Sequence, residues 1–422
     1  MRAVPDDRRG RGGRRGERVT LRVSRLAQRV GHSGTMAVDD RMQALRGLGH
    51  DIVSLGAGQL DFDTPAPIGE AGARAITSGQ TRYTPVAGTA GLRAAVRSKF
   101  ERDNRLLYAE DEVIVGAGAK NVIFHALLAL VDPEDVVIVP VPCWPSYPPM
   151  VAIAGGRVVG ARLDARRGYK LTVEGLVSAV AEGRGRTRGL ILNSPHNPTG
   201  AVYSAEEYAR IAEVVEGENL WAISDEIYEH LTYDGAFTSF ATLPKMRERV
   251  VTANGVSKAF AMTGWRLGYA GGPRAVVRAM EALQSHTSGN PSSISQAAAE
   301  AALRLSLDGD PALAETRRAM FQAMLQRREL ACRELASLPD VHLVRPAGAF
   351  YVFADFSRHF GRELSGKKIQ GSTDLAEHLL EHAGVATVPG VVFGDDRCLR
   401  VSFATSTEEL SVALQRIRKA LS

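Results

Sequence analysis

Cysteine is scarce. Three residues in 422, Cys143, Cys332 and Cys398, show no C-x-x-C spacing. An odd count without a framework excludes a disulfide-stapled fold and a structural zinc site, and it fits a reducing compartment. No run approaches the ~18–20 uninterrupted apolar residues of a membrane span. No apolar stretch follows the basic N-terminal cluster, so that end does not read as a secretory signal. Lysine is scarce as well, eight residues against 44 arginines. If the chemistry needs a lysine amine, only eight can supply it.

What is present is ordinary globular material, 45% apolar and 23% charged, which excludes a mainly disordered chain. The length predicts two or three domains. Net charge is +5, but residues 1–18 hold seven Arg against three acids, a surplus of four, so the remainder is near +1. A nearly neutral body excludes a nucleic-acid-binding face as the main function. Residues 1–30 read as an Arg/Gly-rich disordered tail.

From 112 to about 275, short apolar runs alternate with helical patterns: EVIVGAG, DVVIVPVP, GRVVGARL, GLILNSP, LWAISDE, RVVTANG and GYAGGP. Buried runs separated by helices of ~10–20 residues describe an α/β domain with a mainly parallel sheet covered on both faces. Helices are expected over 35–50, 68–78, 89–105 and through 275–337, with a short strand at 51–55. The C-terminal part reads as α+β, with strands near 341–345, 349–354, 385–388 and 397–403 and helices near 372–384 and 407–420. A large α/β domain plus a smaller one built from both chain ends follows.

Several of these strands end in polar residues, and open α/β sheets bind ligands at the carboxyl ends of their strands. Val113–Lys120 (VIVGAGAK) is a strand, a glycine turn and a helix start, which can cradle an anion with backbone N–H groups or simply make a tight connection. It lacks the G-x-G-x-x-G spacing of a dinucleotide turn, since Asn121 stands three beyond Gly118. The rigid NSPHNPTG loop presents the Asn197 amide, or is a plain turn before a helix capped by Ser204. Asp225 closes the next strand, either as a partner for a charged ligand atom or as a helix cap. Ser257, Lys258 and Arg266 fall within ten residues. A lysine amine forms a Schiff base when neighbouring cations and desolvation depress its pKa, and an arginine can clamp phosphate.

Eight segments in order, SLGAGQLDFDTP (54–65), TRYTPVAGTAGLR (81–93), PCWPSYP (142–148), NSPHNPTG (193–200), SDEIYEHL (224–231), SKAFAMTGWRLGY (257–269), RPAGAFYVF (345–353) and LRVSFATS (399–406), resemble the pyridoxal-phosphate-dependent aminotransferases of fold type I, class I/II. Within them the chain looks most like the bacterial aspartate aminotransferase branch, over residues 30–422. The resemblance implies a mainly parallel seven-stranded sheet in a large domain, 61–305, and a small domain from 31–60 and 306–422. It implies pyridoxal 5'-phosphate as cofactor and a cytoplasmic homodimer with shared sites.

The same resemblance implies roles. Lys258 carries the coenzyme as a Schiff base and shuttles the proton. Asp225 pairs with the ring nitrogen, and a buried carboxylate there keeps the ring an electron sink. Asn197 and Tyr228 hydrogen-bond the phenolic oxygen, and Trp144 stacks on the ring. Ser257, Arg266 and the backbone at Gly118 and Ala119 hold the phosphate, and Tyr83 reaches the phosphate of the neighbouring subunit. Arg400 forks onto the substrate α-carboxylate, and Gly58 lies in the loop closing over the substrate. Lys120, beside the coenzyme, matches a lysine that faces the distal carboxylate in a dicarboxylate-using subgroup, as Ser33 and Thr35 match its N-terminal Ser/Thr pair. One departure stands next to the substrate: Gly58-Gln59-Leu60-Asp61-Phe62 replaces the usual Gly-Glu-Pro-Asp-Phe.

The reaction expected is amino transfer between an amino acid, aspartate or another acidic one, and a 2-oxo acid such as 2-oxoglutarate. The alternative is a specialised biosynthetic enzyme that carries the same carbanion to elimination, cyclisation or oxidation. A transcription factor with an aminotransferase-like domain needs ~60 further residues of helix-turn-helix, and only about 30 Arg/Gly-rich ones precede the matching region. No metal, nucleic acid or membrane partner is expected.

Overall fold

All seven apolar runs become strands of one sheet: β1 (Val113–Gly116), β2 (Val136–Val141), β3 (Arg157–Arg162), β4 (Thr187–Asn193), β5 (Trp221–Asp225), β6 (Val250–Gly255) and β7 (Gly268–Gly271). The computed structural model describes residues 21–31 and 34–421. The strand order is β1-β7-β6-β5-β4-β2-β3. Six strands run parallel, and β7 alone runs against its neighbours.

Alternation explains why these strands read as unbroken apolar runs. Successive side chains point to opposite faces. Val113 and Val115, Val136 and Ile138, and Leu190 and Leu192 enter one core, while Ile114, Val137, Val139 and Ile191 enter the other. Helices Ala90–Asn104, Val173–Glu182, Ala205–Gly217 and Ser293–Leu307 cover the first face; Ala119–Leu130, Tyr147–Ile153 and Arg274–His286 cover the second. With both faces of the inner strands dry, little polar alternation survives in the sequence, and the edge strand β3 exposes Arg157, Gly160 and Arg162. Helix ends follow local chemistry. Ser204 accepts from the Glu207 N–H at 3.2 Å, and the Glu207 carboxylate accepts from the Ser204 N–H at 2.8 Å, a reciprocal cap.

A further core gathers the chain ends. The antiparallel strands β8 (His342–Leu343), β9 (Tyr351–Asp355), β10 (Val388–Pro389) and β11 (Cys398–Ser402) lie in the order β10-β11-β9-β8. Val53–Ser54 pairs in parallel with Val385–Ala386, which ties the N-terminal segment to the C-terminal one. Leu55 packs there with Met324, Leu335, Phe350, Leu379, Val401 and Leu414.

Two differences from the sequence reading appear. The tail expected over 1–30 carries a short helix, Arg25–Arg29, where the Ser24 hydroxyl accepts from the Ala27 N–H at 3.2 Å. Residues 1–20 lie outside the described residues, as do Ser33 and the side chain of Thr35. A small hairpin, Glu363–Leu364 with Lys367–Lys368, was not foreseen.

The loop holding Gly58 is pinned from helix Pro311–Ala336. Arg327 grips Asp61 with both terminal nitrogens, at 2.6 and 3.0 Å, and its guanidinium lies over the Phe62 ring. Removing one partner of a buried ion pair costs about 3–5 kcal/mol. Asp61 keeps some contact with water, so Arg327→Met is expected to cost about 2 kcal/mol, read as a lower urea midpoint. An unchanged midpoint would show that the pair does not anchor the loop.

Candidate active site

The carboxyl edge of the parallel strands supplies most of one pocket. β1 leads to Gly118-Ala119-Lys120, β4 ends at Asn193, β5 at Asp225, and β6 runs into the single-turn helix Val256–Ala259 with Ser257 and Lys258. These residues, with Gly56, Gly58, Trp144, Asn197, Tyr228, Arg266, Tyr351 and Arg400, surround a cavity of about 240 Å³.

One end is built for an anion. Gly118 takes φ +94°, and a Cβ there would stand 2.7 Å from Arg266 Nη2, so only glycine lets the guanidinium this close. Gly118 caps helix Ala119–Leu130 without a side-chain hydrogen bond, leaving first-turn N–H groups for a ligand. A Cβ on Gly268 would meet the Ala119 nitrogen at 2.3 Å, so β7 and the helix start are in direct backbone contact. Arg266 itself sits at φ +52°, a costly conformation for a non-glycine residue, and donates to the Thr263 carbonyl at 3.0 Å.

Asp225 lies on the pocket floor, 5% exposed. Its Oδ2 accepts from the Tyr147 hydroxyl at 2.7 Å and its Oδ1 from the Ile227 N–H at 3.3 Å. Burial pushes its carboxyl up to about 6, against those two hydrogen bonds and the charge of Lys258. That rise corresponds to about 3 kcal/mol against the ionised form. A cation seated on Asp225 recovers that cost, so the site selects for one. The register sets Asn193 beside Asp225, and Asn193 donates to the Asp225 carbonyl at 2.9 Å while accepting from the Asn197 N–H at 2.8 Å.

Lys258 points into the same cavity and donates to the Gly58 carbonyl at 2.5 Å. Burial lowers its pKa to about 8, with the Arg266 and Arg400 charges acting the same way and Asp225 opposing. Arg400, on β11, is 3% exposed. Nη1 donates to Asn197 Oδ1 at 3.0 Å and Nη2 to the Gly56 carbonyl at 2.7 Å, while Nε has no partner among the described residues. Because Asn197 Oδ1 accepts from Arg400, its NH₂ group remains to donate elsewhere. The Tyr228 hydroxyl meets that of Tyr351 at 3.0 Å, and burial raises the Tyr228 pKa well above the usual phenol value. Lys120 stands 4.9 Å over the Trp144 ring.

The structure thus brings together Gly58, Ala119, Lys120, Trp144, Asn197, Asp225, Tyr228, Ser257, Lys258, Arg266 and Arg400, with Gly118 behind Arg266. Tyr83 is elsewhere. It is 98% exposed and borders a separate depression with Gln80, Arg82 and Arg304. The departure at Gln59 makes a local bond, accepting from the Thr263 hydroxyl at 3.2 Å, next to the turn that holds Arg266. Sequence reasoning assigned no role to Asp39, Tyr147, Asn193 or Tyr351. The last three lie inside segments already singled out. Asp39 carried no signal.

An anion cradle, a buried acid awaiting a cation, a free amide donor and a lysine amine of lowered pKa are the groups that a phosphorylated pyridine aldehyde requires. The fold and this donor set define a coenzyme-dependent α/β transferase. The model of the family described as Aminotransferase class I and II matches residues 50–417. An aspartate aminotransferase of Rhizobium meliloti (strain 1021) is 44% identical over 402 residues, covering 94% of this chain and 95% of its own. A bifunctional aspartate aminotransferase and glutamate/aspartate-prephenate aminotransferase of Petunia hybrida is also 44% identical, covering 96% and 83%. The solved aspartate aminotransferase of Thermus thermophilus with maleate superposes with a TM-score of 0.88 at 40% identity, over 95% of this chain and all of that one. The chain belongs to the class I and II aminotransferases. It is an enzyme that uses pyridoxal 5'-phosphate to move an amino group between an amino acid and a 2-oxo acid.

In the coenzyme-free protein, labelling of Lys258 by an amine-directed reagent should rise with a midpoint near pH 8. The unfolded chain keeps this proton to about 10.5. Between those values folding releases a proton, so stability attributable to this amine rises with pH. A labelling midpoint above pH 10, read by peptide mass, would contradict the lowered pKa.

Proposed function

We propose that the amino donor is aspartate or another acidic amino acid and that the acceptor is a 2-oxo acid such as 2-oxoglutarate. The convergence of Lys258, Asp225 and Arg400 on one cavity supports amino transfer, and Lys120 lining that cavity, with the relatives named aspartate aminotransferase, carries the acidic donor. Bound there, the coenzyme supplies an electron sink that permits heterolysis at the substrate's Cα. Lys258 would hold the coenzyme through its aldehyde, and its amine, whose pKa burial lowers, would serve as the base that moves the Cα proton. Asp225 keeps a proton on the ring nitrogen, and Tyr147 holds that carboxylate in place. Asn197 and Tyr228 donate to the ring oxygen, and Trp144 covers the ring. The Ala119 backbone, Ser257 and Arg266 hold the phosphate. Arg400 orients the α-carboxylate with its two-pronged fork. Gly58 belongs to the loop that shuts out water.

Lys120 faces the distal carboxylate in this reading. It forms no ion pair among the described residues, and burial lowers its pKa, with Arg266 adding to the effect. Tyr83 completes the site of a second subunit, which its near-complete exposure in the single chain supports. Residues 31–60 and 306–422 form the small domain and 61–305 the large one. The gathering of Leu55 with Phe350 and Leu414, apart from the sheet cores, supports that division. No helix of the described residues is long and apolar enough to cross a membrane. We place the enzyme in the cytoplasm, where its three free, buried cysteines fit a reducing environment.

Lys120→Ala should raise KM for dicarboxylic substrates by about tenfold or more, the worth of one charge-assisted contact, and for alanine by less than about threefold. Equal changes would remove the proposed contact. Sedimentation should give a particle of twice the chain mass, and Tyr83→Phe should loosen the coenzyme, read by its dissociation on gel filtration. A monomer that keeps full coenzyme affinity would contradict the shared site.

A further inference from the structure

Every charge in the pocket has been given a task except one. Asp39, on helix Gly34–Gly47, borders the cavity together with Gly56, Gly58, Asn197 and Arg400. Its carboxylate makes no hydrogen bond or ion pair among the described residues. Partial burial raises the Asp39 pKa above its usual value and Asp40 adds to the rise, while the Arg400 guanidinium, the strongest charge acting on it, opposes it. Arg400 in turn has an unpartnered Nε and holds only neutral acceptors, the Asn197 and Gly56 oxygens. The binding fork and an unsatisfied anion therefore face the same space.

We infer that Asp39 is a built-in counter-anion of Arg400, an affinity-setting residue against which the substrate's α-carboxylate must compete. The inference rests on the reading of Arg400 as the α-carboxylate clamp. Asp39 is exposed at the pocket mouth and lies beyond ion-pair distance, so it acts through its field and not by blocking the fork. Amino acids and 2-oxo acids share the α-carboxylate, so the effect falls on both half-reactions. It weakens binding of substrate and product alike and favours release over tight retention. A negative charge bordering the same cavity as a bound carboxylate, partly screened by water, changes affinity by about a few-fold to tenfold.

The test uses the coenzyme-loaded enzyme with aspartate, alanine and 2-oxoglutarate, and propionate as a one-carboxylate competitive inhibitor. In Asp39→Asn at low ionic strength, KM for all three substrates and the inhibition constant for propionate should fall about threefold to tenfold. The kcat should stay level or drop. At 1 M salt, where the screening length is about 3 Å, the difference between variant and parent should shrink below about twofold. An unchanged or raised KM, or a difference that salt leaves intact, overturns the inference, the latter because packing effects are not screened. Arg400→Gln separates the two claims. A large rise in its KM upholds the clamp whatever Asp39 does, whereas an unchanged KM removes the clamp and the inference with it.

Discussion

The site depends on keeping an acid and an amine out of water in one cavity. Asp225 and Lys258 are each pushed toward neutrality by burial, and each partly relieves the other. Neither is comfortable without a ligand. A coenzyme that brought a cation to one and an aldehyde to the other would relieve both penalties together.

The sheet is what holds these groups where they are. Six parallel strands end along one edge, and the register between β4 and β5 puts Asn193 beside Asp225 with no freedom to slip, since a one-residue shift would turn every core side chain to the other face. The reversed strand β7 then presses Gly268 against the start of helix Ala119–Leu130, so the anion cradle and the lysine-bearing turn form parts of one rigid frame. Arg400 arrives from another core altogether, on β11. In the proposed reading, the α-carboxylate is bound by an element that the coenzyme frame does not contain.

Much of this was legible before any coordinates. Strands buried on both faces announce themselves as apolar runs, and all seven did. The polar residues that close them pointed to the site, and the ordered motifs supplied the family. What stayed hidden was either too short to leave a period or made by tertiary contact. The Glu363–Leu364 and Lys367–Lys368 hairpin consists of two-residue strands with charged side chains, so it has no apolar period to read. The helix at Arg25–Arg29 is a single turn set by its Ser24 cap inside an Arg-rich stretch. Tyr147 as a support for Asp225 requires knowing that β5 ends under helix Tyr147–Ile153. Asp39 looks like any acid on an amphipathic helix until Arg400, 361 residues later in the chain, is brought to face it.

The central claim is that one lysine of the eight bonds the coenzyme. Loading the protein with pyridoxal 5'-phosphate, reducing it with borohydride and mapping the peptides by mass tests this directly. The account predicts a single modified peptide carrying the coenzyme on Lys258. Stoichiometric label on Lys120 or any other lysine, with Lys258 unmodified, would contradict it.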